Sequence, residues 1–247
     1  MKPDPPRRLI VFSDIHGNLH ALRAVLDAID EQPGDQVFCL GDVIGYGAFP
    51  NECCEILRER NITTLAGNHD HAALGRTDIS FFNEIARRAA IWTHHQLTPE
   101  NAAWLGERPY TAVAGDCLMV HATPADPQRW GYVLTYDDAR KAFAAFSNHI
   151  CLIGHSHHPV VIENSGERLS VVDGESIELR KECRYVINVG SIGQPRDQNP
   201  RACFVTLDLE QGRLNYCRVS YDVEGAQQAI LDAGLPEELA ARLACGW

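Results

Sequence analysis

"LIVFSDIHGN", residues 9–18, sets four apolar residues directly before Ser13 and Asp14, with His16 and Asn18 at two-residue intervals beyond. The apolar run reads as a fully buried strand. Its polar end is then a strand terminus, and the C-terminal strand edge is where ligands sit in open α/β sheets. After it, Leu19, Leu22, Leu26 and Ile29 recur at three- and four-residue spacing, which is one apolar helix face, with Asn18 as the N-cap.

The pattern repeats along the chain. "QVFCL" leads into "GDVIGYG", a helix around residues 51 to 60 follows, and "ITTLA" leads into "GNHD". Strand, helix, strand, helix, strand predicts an α/β sheet with parallel pairing at its start. Residues 81 to 96 and 99 to 106 read as helices, the second with Thr98 as cap and Pro99 at the first helical position. "YTAVA" and "CLMV" read as antiparallel strands, and a helix is expected near 137 to 146. The second half is strand-rich, with "ICLI", "VVIE", "LSVV", "SIEL", "YVINV", "ACFVTLDL" and "LNYCRVSY" broken by Gly, Asn and Pro. The last 25 residues read as two short helices separated by Gly234 and Pro236. No repeat, low-complexity segment or linker interrupts 1–247, which is expected to form one domain.

Composition narrows the function. The 247 residues are 45% hydrophobic and carry 22 Lys and Arg against 33 Asp and Glu, a net charge of −11. Such a balance repels a phosphate backbone and argues against extended nucleic acid or a membrane surface as partner. A small phosphorylated substrate stays compatible, because acidic side chains hold cations that reverse the local field. The nine cysteines are odd in number and scattered, which predicts buried free thiols in a reducing, cytoplasmic setting. No apolar run reaches signal-peptide or membrane-spanning length. Oligomeric state is not legible at this level.

Five apolar strands end in polar clusters: Asp14 with His16, Gly41 with Asp42, Gly67 with Asn68 and His69, His121, and Gly154 with His155 and His157. Read singly, Asp14, Asn18 and Asp42 are turn or cap residues and His121 a core histidine. As a set they have another meaning. Positions i and i+2 of an extended segment face the same way, so Asp14 with His16, and His155 with His157, each offer two ligands to one place. Oxygen and nitrogen donors without thiolate suit Mn, Fe, Zn or Ni. The donors exceed the needs of one cation and point to two cations sharing a carboxylate, about 3.5–4 Å apart, as in hydrolysis at phosphorus.

The ordered blocks "DIH", "GD" with "GYG", "GNHD", a lone His after a strand, and "GHSH" resemble the calcineurin-like metallophosphoesterase superfamily, in its small bacterial and archaeal phosphodiesterase branch. The resemblance covers residues 9 to about 208. It implies a four-layer αββα sandwich, two mixed sheets flanked by helices. It also implies two divalent metal ions, Mn being favoured in vitro. One would be held by Asp14, His16, Asp42 and His157, the other by Asp42, Asn68, His121 and His155, with Asp42 bridging. The implied reaction is in-line attack on phosphorus by a hydroxide held between the cations. His69 matches the family's non-ligand histidine, the candidate general acid.

Departures from the family direct the choice of substrate. The protein Ser/Thr phosphatase branch has an Asp, an Arg and a second Arg where this chain has Gly45, Tyr46 and Ala66. Without bidentate guanidinium clamps, phosphodiester cleavage is favoured over protein dephosphorylation. The missing Asp also leaves His69 without its usual orienting partner. In "NVGSIGQPRD", residues 188–197, Arg196 is a candidate contact to substrate phosphate or else a solvated loop residue. Trp130 and Tyr132 could stack on a base or fill the core. The expected activity is therefore hydrolysis of a small, nucleotide-derived diester. A phosphomonoesterase or dinucleotide polyphosphate hydrolase is the first alternative, and a metal-binding interaction module without turnover the second.

Overall fold

The computed structural model describes residues 7–32, 34 and 36–247. The strands are β1 (Arg8–Phe12), β2 (Gln36–Cys39), β3 (Thr63–Thr64), β4 (Thr111–Ala114), β5 (Cys117–Val120), β6 (Ile150–Ile153), β7 (Val160–Asn164), β8 (Leu169–Val172), β9 (Ser176–Glu178), β10 (Arg184–Asn188), β11 (Ala202–Asp208) and β12 (Arg213–Val219). The helices are α1 (Leu19–Asp30), α2 (Pro50–Glu59), α3 (Asn68–Ala73), α4 (Glu84–Gln96), α5 (Pro99–Gly106), α6 (Tyr136–Ala144), α7 (Val223–Asp232) and α8 (Glu237–Cys245).

Two six-stranded sheets result, ordered β3-β2-β1-β11-β12-β9 and β4-β5-β6-β10-β7-β8. Both are mixed. β1 pairs parallel with β2 and β2 with β3, as the alternating order predicts, whereas β11 runs antiparallel to β1. In the second sheet β6 is parallel to both β5 and β10, with antiparallel β4 and β7 beyond them.

Period-two alternation builds the layers. Leu9 and Val11 of β1 face the second sheet, joining Met119, Leu152, Tyr185 and Ile187 in the core between the sheets. Ile10 and Phe12 face the other way, onto Leu22, Val25 and Leu26 of α1 and Leu57 of α2. Full burial of Leu22 or Val25 contributes about 1.5–3 kcal/mol each. The outer face of the second sheet is covered by Ala139, Ala142 and Phe143 of α6. The result is the expected four-layer sandwich of helices, sheet, sheet and helix. A further cluster joins α7 and α8 to α4 and to Tyr46.

Local signals acted where expected. Asn18 accepts from Ala21 N, and Thr98 accepts from Asn101 N ahead of Pro99. The span expected to be helical from 81 is interrupted. Residues Ile79–Phe81 form one 3-10 turn, Phe82 is extended, and α4 starts afresh because the Asn83 side chain accepts from Ala86 N. Nor does β3 run through "ITTLA"; its pairing stops at Thr64, and Asn68 already opens α3, a helix absent from the sequence reading. No helix among the described residues is long and apolar enough to cross a membrane.

Candidate metal centre

The five strand-terminal clusters meet on one side of the sheet edges. Asp14 and His16 follow β1, Asp42 follows β2, Asn68 and His69 open α3 beyond β3, His121 follows β5, and His155 and His157 follow β6. All are buried. His16 Nε2 lies 3.1 Å from His157 Nε2, and Asp14 Oδ1 lies 3.3 Å from His157 Nε2. Asp42 Oδ2 is 3.6 Å from His16 Nε2 and 3.4 Å from His121 Nε2, and Asn68 Oδ1 is 3.1 Å from His121 Nε2. Ligand atoms of Asp14, His16 and His157 lie within 4.8 Å of one another, and so do those of Asp42, His121 and His155. A third such group joins His69 to His16 and Asp42, so His69 stands at the edge of the first donor set.

The sequence argument for convergence needs a correction. Asp14 and His16, and His155 and His157, do not lie on extended backbone. Their φ angles are 58°, 51°, 67° and 61°, and that of Asp42 is 50°, all in the left-handed region. Non-glycine residues pay a small conformational cost there, about 1–3 kcal/mol each, and persist only when the surroundings over-determine them. Here backbone bonds do so: Asp14 N donates to Gly41 O, His16 N to Asp42 O, and Gly193 N to Asp14 O. Side chains reach the same place because alternate residues are turned inward by these crossing loops.

Partners behind the donors fix which atom faces inward. His121 Nδ1 contacts Leu40 O at 3.1 Å and His157 Nδ1 contacts Gln194 O at 2.6 Å, so each ring turns Nδ1–H outward and Nε2 inward, where His157 offers a lone pair and His121 would do so on losing its second proton. One oxygen of each carboxylate is taken by backbone, Asp14 Oδ2 accepting from His155 N and Asp42 Oδ1 from His69 N. Asp14 Oδ1 and His155 Nε2 are buried with no hydrogen-bond partner. Orphaned acceptors of this kind are costly unless a cation meets them.

Burial alone would raise the Asp42 carboxyl, but His121, His69 and His16 outweigh it and hold it well below the ordinary carboxylate range. Burial likewise disfavours a proton on His121, yet Asp42 and Asp14 lift it to about 9. That proton balances buried carboxylates, the task a bound cation would take over. Burial and His121 push His155 down to about 3. The residues therefore fit divalent cations: inward oxygen and nitrogen lone pairs, no thiolate, and two carboxylates in need of positive charge.

Around this set lie residues the sequence reading missed or placed differently. Asp70 accepts from Gly67 N and Ile44 N, pinning the loop after β2 to the start of α3; its only sequence signal was an acid at the third position of a helix. The turn at 188–197 is a buttress. Asn188 donates to Gly154 O, Ser191 Oγ to Asp14 O, and Gln194 O meets His157. Arg196 is half-buried beside the centre, its guanidinium 6.0 Å from the Tyr46 ring. Among the described residues no carboxylate is hydrogen-bonded to His69 Nδ1. Tyr46 and Phe82 flank it at 4.5 and 5.3 Å, and burial takes it down to about 4, with Asp42 opposing and the Arg196 charge adding. Gly45, at φ 140°, has no room for a side chain, since a Cβ there would lie 3.0 Å from His16 Nδ1 and 3.1 Å from His69. Beside His69 and His155 opens a cleft of about 390 Å³ bordered by Phe81, Phe82, Trp130 and Tyr132.

Comparison with known proteins agrees with this architecture. Residues 8–212 match the calcineurin-like phosphoesterase superfamily domain. An uncharacterised protein of Methanocaldococcus jannaschii is 37% identical over 242 residues, 96% of this chain and 98% of that one. A metallophosphoesterase from Sphaerobacter thermophilus superposes with a TM-score of 0.85 at 38% identity, over 98% of this chain and 100% of the other. A hypothetical protein from Pyrococcus horikoshii shares the fold, with a TM-score of 0.80 at 19% identity over 97% and 98% of the two chains. Donor blocks at five strand ends, four layers and a matched span of this extent lead to one conclusion: the chain belongs to the calcineurin-like phosphoesterase superfamily.

Proposed function

We propose that the protein is a two-cation phosphohydrolase that cleaves a phosphodiester bond in a small, nucleotide-like substrate. The observation that carries this reading is Asp42 Oδ2, which faces His16 Nε2 at 3.6 Å and His121 Nε2 at 3.4 Å, one nitrogen from each donor group. One oxygen shared between two donor sets is what a bridging ligand requires. Asp14, His16 and His157 complete one set, and Asn68, His121 and His155 the other. Divalent cations held there, Mn, Fe, Zn or Ni, supply Lewis acidity toward phosphoryl oxygens and water acidified to near neutral pH.

The remaining roles fall to the chain itself. Burial excludes bulk water from the donors, and the crossing loops hold them in place before substrate arrives. His69, which burial keeps neutral at pH 7, would give a hydrogen bond from its ring N–H to the departing oxygen, so that water can complete its protonation. Arg196 contacts substrate phosphate from the opposite margin.

Diester preference follows from what surrounds the centre. A phosphomonoester dianion calls for bidentate guanidinium groups. At Gly45, Tyr46 and Ala66 none is offered, and rings already fill the space beside Gly45. The aromatic border of the cleft suits a planar organic arm such as a base. Nine cysteines, all free and seven of them buried, support a reducing, cytoplasmic setting.

Turnover of bis-p-nitrophenyl phosphate beside p-nitrophenyl phosphate, with Mn added, tests the reading. Faster diester turnover is expected. Monoester preference would replace it with a phosphatase, and inertness with metal bound would replace it with an interaction module.

A further inference from the structure

Two guanidinium groups converge on one amide oxygen at the margin of the centre. Arg196 Nη2 donates to Gln194 Oε1 at 3.0 Å, and Arg242 Nη1, from α8, reaches the same oxygen at 3.3 Å. The backbone carbonyl of that same Gln194 is the partner of His157 Nδ1, and Arg196 N donates to His157 O. The pair is therefore tied directly to a candidate metal ligand. Like charges so placed repel unless an anion lies between or beside them.

Among the described residues no carboxylate stands within ion-pair distance of either arginine. Asp197, next in sequence to Arg196, is taken by Arg218. Glu238, one turn before Arg242 on α8, feels its charge without pairing to it. In a chain with 33 acidic and 22 basic side chains, two adjacent half-buried guanidinium groups have neutral partners, Gln194 Oε1 for both and the Tyr46 hydroxyl for Arg196, and no carboxylate among the described residues. Planar, forked donors of this kind match phosphate oxygens.

The two margins of the centre thus differ in chemistry. Beside His69 and His155 the border is aromatic, whereas beside His157 it is cationic, and Tyr46 touches both.

From this we infer that Arg196 and Arg242 form a subsite for a second, non-scissile phosphate, so that the substrate is a phosphodiester with an aromatic arm and a further phosphate-bearing arm. The inference rests on the phosphohydrolase reading for the identity of the substrate, but not for the existence of the anion site. It also gives a function to the C-terminal helix, which lies beyond the 8–212 span of the family match. Arg242 stands on α8, not at positions 46 or 66 where the two arginines are absent.

Two measurements decide it. The first needs no turnover: chelator-treated protein is titrated calorimetrically with inorganic pyrophosphate. Binding is expected, weakened about tenfold or more in R242Q and in R196Q, as loss of a charge-assisted bond implies, and less in R242K, which keeps the charge but not the fork. Equal binding by wild type and R242Q, at matched thermal midpoints, overturns the subsite. The second compares thymidine 5′-(p-nitrophenyl phosphate) with the same diester bearing a 3′-phosphate, using the Mn-loaded enzyme. Wild type should favour the 3′-phosphorylated diester in kcat/KM, and R242Q should bring the ratio close to one. An unchanged ratio in R242Q overturns the assignment. Hydrolysis of neither diester would instead defeat the phosphohydrolase reading and leave the calorimetric result to stand by itself.

Discussion

Tyr132 stacks on His155, their ring centroids 4.0 Å apart and their planes 20° from parallel. The tyrosine is half exposed while the histidine is buried, so one face of the phenol covers a candidate metal donor and the rest borders the cleft. Tyr132→Ala removes both contacts. An aromatic pair contributes about 0.5–1.5 kcal/mol, so kcat/KM for an aryl diester should fall roughly twofold to tenfold. Steady-state kinetics would show it, and Tyr132→Phe should keep most of the activity.

Asp42 carries the shared oxygen. Asp42→Asn keeps the shape but removes the charge that faces both His16 and His121. Activity should drop by more than about 100-fold, the upper range for loss of a mere supporting contact at a metal site. Metal analysis of the purified variant should find fewer than two equivalents bound. Full stoichiometry with full activity would remove Asp42 from the bridge.

His69→Ala separates leaving groups. For an alkyl alkoxide, which must take up a proton as it departs, the rate should fall about 10²- to 10⁴-fold. With p-nitrophenolate, a far weaker base, the loss should be much smaller. Equal losses for both would deny His69 the acid role and leave it as support for Tyr46.

Without metal, stability should peak near pH 6.5 and fall on both sides. His155 and His69 are depressed by burial to about 3 and about 4, below the ordinary 6.5. The unfolded chain therefore binds more protons than the folded one below pH 6.5, and stability is lost as pH falls from there toward 4. His121 is raised to about 9, the Asp42 field overcoming its burial, so its contribution is present below pH 6.5 and is lost as pH climbs toward 9. Thermal midpoints of chelator-treated protein across pH 4 to 9 would trace both limbs. Added Mn should abolish the alkaline one, since metal binding takes the deprotonated ring.

Gly45→Ala probes whether the phosphatase carboxylate could ever be accommodated here. Its φ of 140° and the rings of His16 and His69 at 3.0–3.1 Å both oppose a side chain. A loss of about 1–3 kcal/mol in unfolding free energy is expected, together with lower activity, from denaturant titration and diester assay. A stable, active Gly45→Asp would show that the loop can yield.

Much of this was legible because strand ends are punctuated in sequence. Four apolar residues before Asp14, and again before Gly154 and His155, marked both the sheet edge and the donors. Less visible was how they meet. An i, i+2 pair on extended backbone and an i, i+2 pair on left-handed residues look alike in one dimension, and only the bonds from Gly193 and to Gly41 distinguish them. Long-range partners were similarly hidden. Gln194 orienting His157, and Arg242 arriving from α8, depend on segments far apart in the chain. The break at Phe82 was missed because Asn83 can continue a helix or cap a new one, and here its side chain accepts from Ala86 N. Asp70 went unassigned because α3 itself was not read from the sequence, and its bond to Ile44 N joins segments 26 residues apart.

The bond between His157 and Gln194, with those of Ser191 and Gly193 to Asp14, sets an order of events during biosynthesis. A nascent polypeptide emerging from the ribosome has both donor pairs, Asp14 with His16 and His155 with His157, before the buttressing turn exists. Until that turn clears the exit tunnel Asp14 lacks two of the bonds that hold it, from Gly193 N and Ser191 Oγ, and His157 Nδ1 lacks the carbonyl that aims its ring. If the proposed cations bind here, capture at full affinity would follow release of the turn and not the appearance of the donors themselves.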